Sequence, residues 1–204
     1  MTEEDLNKYL DVAKIQLSDF FGIKALDINL VILESREDIN RLKGHKTEPW
    51  VIGFTIENNL YILNPDKTKN LLLPEEVDYQ KLITHEATHI FYENISNGED
   101  YPIWLNEGLA CYLGKQNLSN PNPTDFILID NYFEKIDKNG FSVGCYFVYE
   151  LIKDFGNNKI KRLINSFKKY NQNLTKNDFY FEFEKTYKKP FNEIKNNYLR
   201  KLGK

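Results

Sequence analysis

From Pro74 onward the apolar residues of this chain recur at the spacing of helices, whereas between Leu26 and Leu63 they alternate in the manner of strands. A chain that changes period once segregates its sheet from most of its helices. The expected class is therefore α+β, with a small N-terminal mixed sheet and its helices followed by an all-helical body. At the start, Leu6, Leu10, Ala13, Leu17 and Phe21 share one face of a helix over 2–21 that Gly22 ends. A strand is predicted over 26–33, and a short helix capped by Ser35 runs to about Leu42. A hairpin pairs 51–56 with 60–63 through Glu57-Asn58-Asn59, where asparagine tolerates the positive φ of a tight turn, and Pro65 closes it off. Helices are then predicted over 75–94, 104–115, 124–137, 141–154, 158–169, 175–187 and 190–202. The organisation expected is an α/β lobe over 1–73 and a helical body over 74–204, within a single compact domain overall.

A chain of 204 residues that is 41% hydrophobic and 14% aromatic has enough apolar surface for one full core. Its net charge of -3 and pI near 5.7 provide no basic field, so neither nucleic acid nor a membrane surface is expected as a partner. The basic cluster Lys159, Lys161, Arg162, Lys168 and Lys169 reads as the solvated face of helices. The opening "MTEEDLNKYLDVAKIQLSDFF" shows neither a basic leader nor an apolar run, and no stretch is long enough for a bilayer; a cytoplasmic protein is the expectation. Cys111 and Cys145 sit in apolar helical patterns and read as free thiols acting as small core residues. His45, in the polar loop "LKGHKTEP", is expected to be exposed and without a role.

The stretch "LITHEATHIFYE" carries the chemistry, with His85-Glu86-Ala87-Thr88-His89 at its centre. Residues four apart on a helix lie on one face, so both imidazoles can point a nitrogen at one ion about 2 Å away. Glu86, one step round, reaches a water at that ion without ligating it, and this is why H-E-x-x-H spacing carries a mechanism. The bland alternative is an ordinary helix that happens to hold two of the chain's three histidines. Two imidazoles do not complete a zinc site, and the neighbouring segment "YPIWLNEGLACYLG" offers Glu107. In so apolar a helix a buried, unpartnered carboxylate costs several kcal/mol, which a metal would remove. A glutamate facing solvent near a helix start is the alternative for this residue taken alone.

The pairing of "HEATH" with "WLNEGLA" resembles the gluzincin metallopeptidases, especially the M1 aminopeptidase-like branch, in which a helix bearing H-E-x-x-H is followed by one bearing W-L-N-E-G. Seventeen residues, Ile90 to Asn106, separate His89 from Glu107, one fewer than is usual there, and the loop "NISNGEDYP" absorbs the difference. Downstream, "FSVGCYFVYELIKDFGNNKIKRLINSF" is similar to the helix, glycine and helix of small bacterial peptidase-MA-like domains. The closing "FYFEFEKTYKKPFNEIKNNYLRKL" resembles their final helical pair, so the similarity covers most of Leu60 to Leu202 and is diagnostic only at the two zinc helices. The resemblance implies a zincin-like fold, zinc as cofactor, His85, His89 and Glu107 as its ligands, and Glu86 as general base. It implies hydrolysis of a peptide or protein substrate. It also implies that an edge strand, 51–56 or its hairpin partner, holds the substrate backbone unless the loop over 66–73 or the N-terminal helix covers it.

Three departures bear on that expectation. The tyrosine of the Y-x-x-G motif, which hydrogen-bonds the oxyanion in such enzymes, is replaced by Phe141, and losing one such donor typically lowers the rate by about two to three orders of magnitude. Tyr146, Tyr149 and Tyr132 are the candidates to replace it, each with a core role as the alternative. The G-x-M-E-N motif that holds a free substrate N-terminus is not visible, so exopeptidase specificity is not supported. Cys111 stands where some zincins have an aspartate, leaving backbone carbonyls or Thr84 and Thr88 to orient the imidazoles. The alternative function is therefore a catalytically weak or inactive zincin-like domain acting as a peptide-binding or regulatory module; a wholly structural zinc site is a third reading.

Overall fold

The computed structural model describes residues 1–68, 77–116 and 120–203. The chain is mixed α+β and mostly helical, with one three-stranded sheet among the described residues. It forms two compact units, Met1–Ile90 and Phe91–Lys204, whose division falls inside a helix. The boundary expected between 73 and 74 lies outside the described residues.

In the first unit, helix α1 (Glu3–Phe21) starts in a capping box: Thr2 Oγ1 accepts from the Asp5 N–H and Asp5 Oδ2 from the Thr2 N–H. Its five expected apolar positions are buried, and Gly22 ends it at φ +71. Strand β1 (Asn29–Leu33) is shorter than the predicted 26–33, because its partner strand begins only at Asn59, opposite Asn29. Ser35 caps α2 (Arg36–Lys43) as expected, accepting from the Asp38 N–H. Strands β2 (Gly53–Ile56) and β3 (Asn59–Leu63) form the hairpin, and the pairing of Ile56 with Asn59 confines the turn to Glu57 and Asn58. The positive φ falls on Glu57, at +53, rather than on an asparagine.

The strand order is β1-β3-β2, with β1 parallel and β2 antiparallel to β3. Of the two hairpin strands, β3 is therefore central and β2 is an edge. Leu33, Ile39, Ile52, Phe54 and Leu63 bury one cluster against the sheet, with Val77 and Leu82 packed onto it. Phe54 and Tyr61, directly opposite across the hairpin, stack with centroids 5.0 Å apart. A single turn, α3 (Pro65–Thr68), follows β3. Helix α4 (Tyr79–Ser96) starts where Asp78 Oδ1 accepts from the Lys81 N–H; the expected start at 75 lies outside the described residues. Tyr79 donates to the Leu63 carbonyl, which ties the beginning of α4 to the end of β3.

The second unit holds α5 (Ile103–Leu113), α6 (Pro123–Ile127), α7 (Lys138–Phe155), α8 (Asn157–Ser166), α9 (Lys176–Tyr187) and α10 (Phe191–Leu202). The single helix predicted over 124–137 is a correction: α6 stops at Ile127 and a 3-10 turn covers Ile129–Tyr132. Phe126, Ile129 and Tyr132, all buried, recur every three residues, the period of a 3-10 turn rather than of an α-helix. Asp137 cannot belong to that helix because its carboxylate caps α7, accepting from the Asn139 and Gly140 N–H groups. On α8 the apolar residues Ile160, Leu163 and Ile164 turn inward while Arg162, and Lys168 in the 3-10 turn that follows, are exposed. Of the rest of the basic cluster, Lys159 donates to the Thr186 carbonyl and Lys169 pairs with the buried Glu182, so the solvated-face expectation holds only in part.

Aromatic rings fill this unit's core. Trp104 lies 5.1 Å from Phe147, 5.8 Å from Phe179 and 5.9 Å from Phe191, centroid to centroid. Helices α5 and α7 cross in backbone contact at two glycines. A Cβ on Gly108 would stand 2.3 Å from the Gly144 carbonyl oxygen, and one on Gly144 would stand 2.3 Å from the Trp104 carbonyl oxygen. Gly108→Ala is accordingly expected to lower stability by about 1–3 kcal/mol, since the obstacle is backbone that cannot rotate away. A denaturant titration reads this, and an unchanged midpoint would mean that the crossing has slack.

Candidate metal centre

Helix α4 is buried on nearly every face through its middle turns, so what it carries there is held by packing. His85 is buried and His89 partly exposed, one turn apart, with ring centroids 4.9 Å apart and planes at 81°. Their Nε2 atoms stand 3.3 Å from each other. Glu107, on α5, is partly exposed rather than facing open solvent. One donor atom from each of His85, His89 and Glu107 lies within 4.8 Å of the others, and this is the one such group of three among the described residues.

The donor set fits a zinc ion on its chemistry and on one distance. Two imidazoles and a carboxylate are the types that leave a fourth, open position in catalytic zinc sites. Two ligands about 2.05 Å from an ion at the tetrahedral angle are about 3.3–3.4 Å apart, the spacing that the two Nε2 atoms already have.

Glu86 is buried on the same helix, and β2 makes room for it. A Cβ on Gly53 would lie 2.9 Å from Glu86 Oε1 and 3.1 Å from its Cγ. The missing side chain at the first residue of β2 is therefore space taken by the Glu86 carboxylate. In the sequence Gly53 reads only as one residue of the strand expected over 51–56. The available signal was a glycine interrupting a β-prone run, which marks a place where something approaches the backbone closely. The segment leading into β2 is fixed by Arg36, whose guanidinium donates to Thr47 Oγ1 and to the carbonyls of Glu48, Pro49 and Val51.

The Thr84 and Thr88 hydroxyls, suggested as orienting groups, are engaged within α4 as donors, each to the carbonyl four residues back, Gln80 at 2.8 Å and Thr84 at 2.7 Å. The position of α5 is set by its approach loop instead. The buried Glu99 carboxylate accepts from the N–H groups of Tyr101 and Leu174, and the Ile103 N–H, at an end with no side-chain cap, donates to the Phe133 carbonyl.

The candidate oxyanion tyrosines have other contacts. Tyr146 donates to the Tyr198 carbonyl at 3.3 Å, Tyr132 is buried against Gly140, and the half-exposed Tyr149 lies beside Tyr112. Phe141 occupies the first turns of α7. His45 is exposed, its Nδ1 2.9 Å from the Lys43 carbonyl, and stands outside the ligand group. Cys111, one turn beyond Glu107, is buried and likewise outside the group. Among the described residues no helix is long and apolar enough to cross a membrane. Compared with the models of known protein families and with curated proteins, the sequence matches none.

Proposed function

We propose that this chain is a small zinc metallopeptidase of gluzincin type. The observation that carries the reading is the convergence of His85, His89 and Glu107 beside a buried Glu86 that a glycine of an edge strand accommodates. These three residues would hold the ion, which when bound supplies a Lewis acid that polarises the scissile carbonyl and acidifies a water. Glu86 takes one proton from the attacking water at its carboxylate and delivers it to the departing amine nitrogen as the carbon–nitrogen bond breaks. Strand β2, whose outer edge pairs with no strand among the described residues, offers that edge to an extended peptide backbone, and Gly53 puts it against the base.

The test is cleavage of a mixed peptide library by zinc-loaded protein, read by mass spectrometry. Cleavage that disappears on chelation and returns with zinc supports the reading. A protein that binds one zinc and cleaves nothing favours the second reading, a peptide-binding or regulatory module. The observation behind that second reading is the phenylalanine at 141, together with the engagement of the Tyr146 hydroxyl by the Tyr198 carbonyl.

Gly53→Ala separates placement of the base from metal binding. The added methyl forces the Glu86 carboxylate to move, and misplacement by about 1 Å lowers a rate by roughly 10²-fold. Zinc content is expected to stay at one per chain while kcat falls. An unchanged kcat would mean that Glu86 does not need the space at Gly53.

A further inference from the structure

The chain's two cysteines, 34 positions apart, lie beside the glycine crossing of α5 and α7. Cys111 follows Gly108 by three residues, and Cys145 follows Gly144 directly. The helix backbones touch at that crossing, and the Cys145 and Cys111 thiols are within hydrogen-bond reach of each other, the closeness a disulfide requires. Cys111 is 1% exposed, with its Sγ 3.4 Å from Gln116 Oε1, whereas Cys145 is partly exposed. A hydrogen bond with the Cys111 thiol holds Cys145 below the ordinary thiol value, against the upward push of burial. Cys145 thus reaches the surface in part, while its hydrogen-bond partner Cys111 is buried.

We propose that Cys145 and Cys111 form a thiol–disulfide site for low-molecular-weight disulfides, with Cys145 as the attacking thiol and Cys111 as the resolving one. The Cys145 sulfur bonds to one sulfur of the oxidant, whose other sulfur leaves as a thiol with one proton. The Cys111 sulfur then bonds to the Cys145 sulfur and releases the second small thiol with the second proton. Two cysteine thiols are oxidised and one small disulfide is reduced to two thiols. The bridge ties α7 to α5 one turn from Glu107, and its formation does not depend on the metal reading.

The experiment treats folded wild-type protein with oxidised glutathione and follows intact mass, thiol count and Tm. The expected product has lost both thiols and two hydrogens, retains no glutathione, is monomeric in its linkage, and melts at a higher temperature. Cys111→Ser is expected to stop at a glutathione adduct on Cys145, and Cys145→Ser to acquire none. A wild-type product that keeps glutathione on Cys145 with Cys111 free, a disulfide between chains, or no reaction of either thiol would overturn the proposal.

Discussion

Glu86→Gln is expected to abolish measurable peptide cleavage while the protein still holds about one zinc per chain. Glutamine matches glutamate in shape, so the helix packing and the space opposite Gly53 are kept, and stability should change little. What is lost is the ability to accept a proton from water and return it to the amine, since an amide is not a base near neutral pH. General acid–base catalysis of this kind contributes about 10²–10⁴-fold, so the residual rate should fall by at least that factor. Rates are compared on one defined peptide, with zinc measured in the same samples. If the variant cleaves as fast as the wild type, Glu86 is not the base. If zinc leaves as well, the comparison reports on the site's integrity rather than on its chemistry.

Removal of one ligand is expected to have the other large effect. His85→Ala and Glu107→Ala each leave two donors of the three that converge, and after dialysis their zinc content should fall from about one per chain to near zero. His45→Ala is the internal control, because that imidazole is exposed and outside the ligand group, and its zinc content should match the wild type. A ligand that binds the folded form alone stabilises it by mass action, so added zinc should raise the wild-type Tm and leave the two ligand variants unmoved. Wild-type protein that binds no zinc when offered it, or a His85→Ala variant that keeps its zinc, would remove the metal centre and the proposed peptidase with it.

The parts of the fold legible in the sequence are those whose determinants sit within a few residues of each other. Ser35 caps α2 and Gly22 ends α1, through hydrogen bonds or dihedrals set inside one turn, whereas Thr2, expected as the first helical residue, is the N-cap of α1. The shared face of His85 and His89 is of the same kind, because a spacing of four residues leaves the helix no other arrangement. The helix expected over 124–137 misled because apolar residues three apart satisfy both a loose helical period and a 3-10 turn. The Asp137 cap that decides between them acts on the following helix.

The sequence by itself determined the α+β class, the local caps, and the two imidazoles on one face of α4. Only the tertiary structure decided that β3 is central and β2 the edge, and that Glu107 joins His85 and His89. It also decided that Gly53 is the space for Glu86 and that Cys111 meets Cys145. The physical reason is range. A helical turn closes on hydrogen bonds between residues three or four apart, so its geometry can be read from neighbours. Strand order and side-chain convergence depend instead on which distant segments pack, and that choice is made by the burial of the whole chain at once.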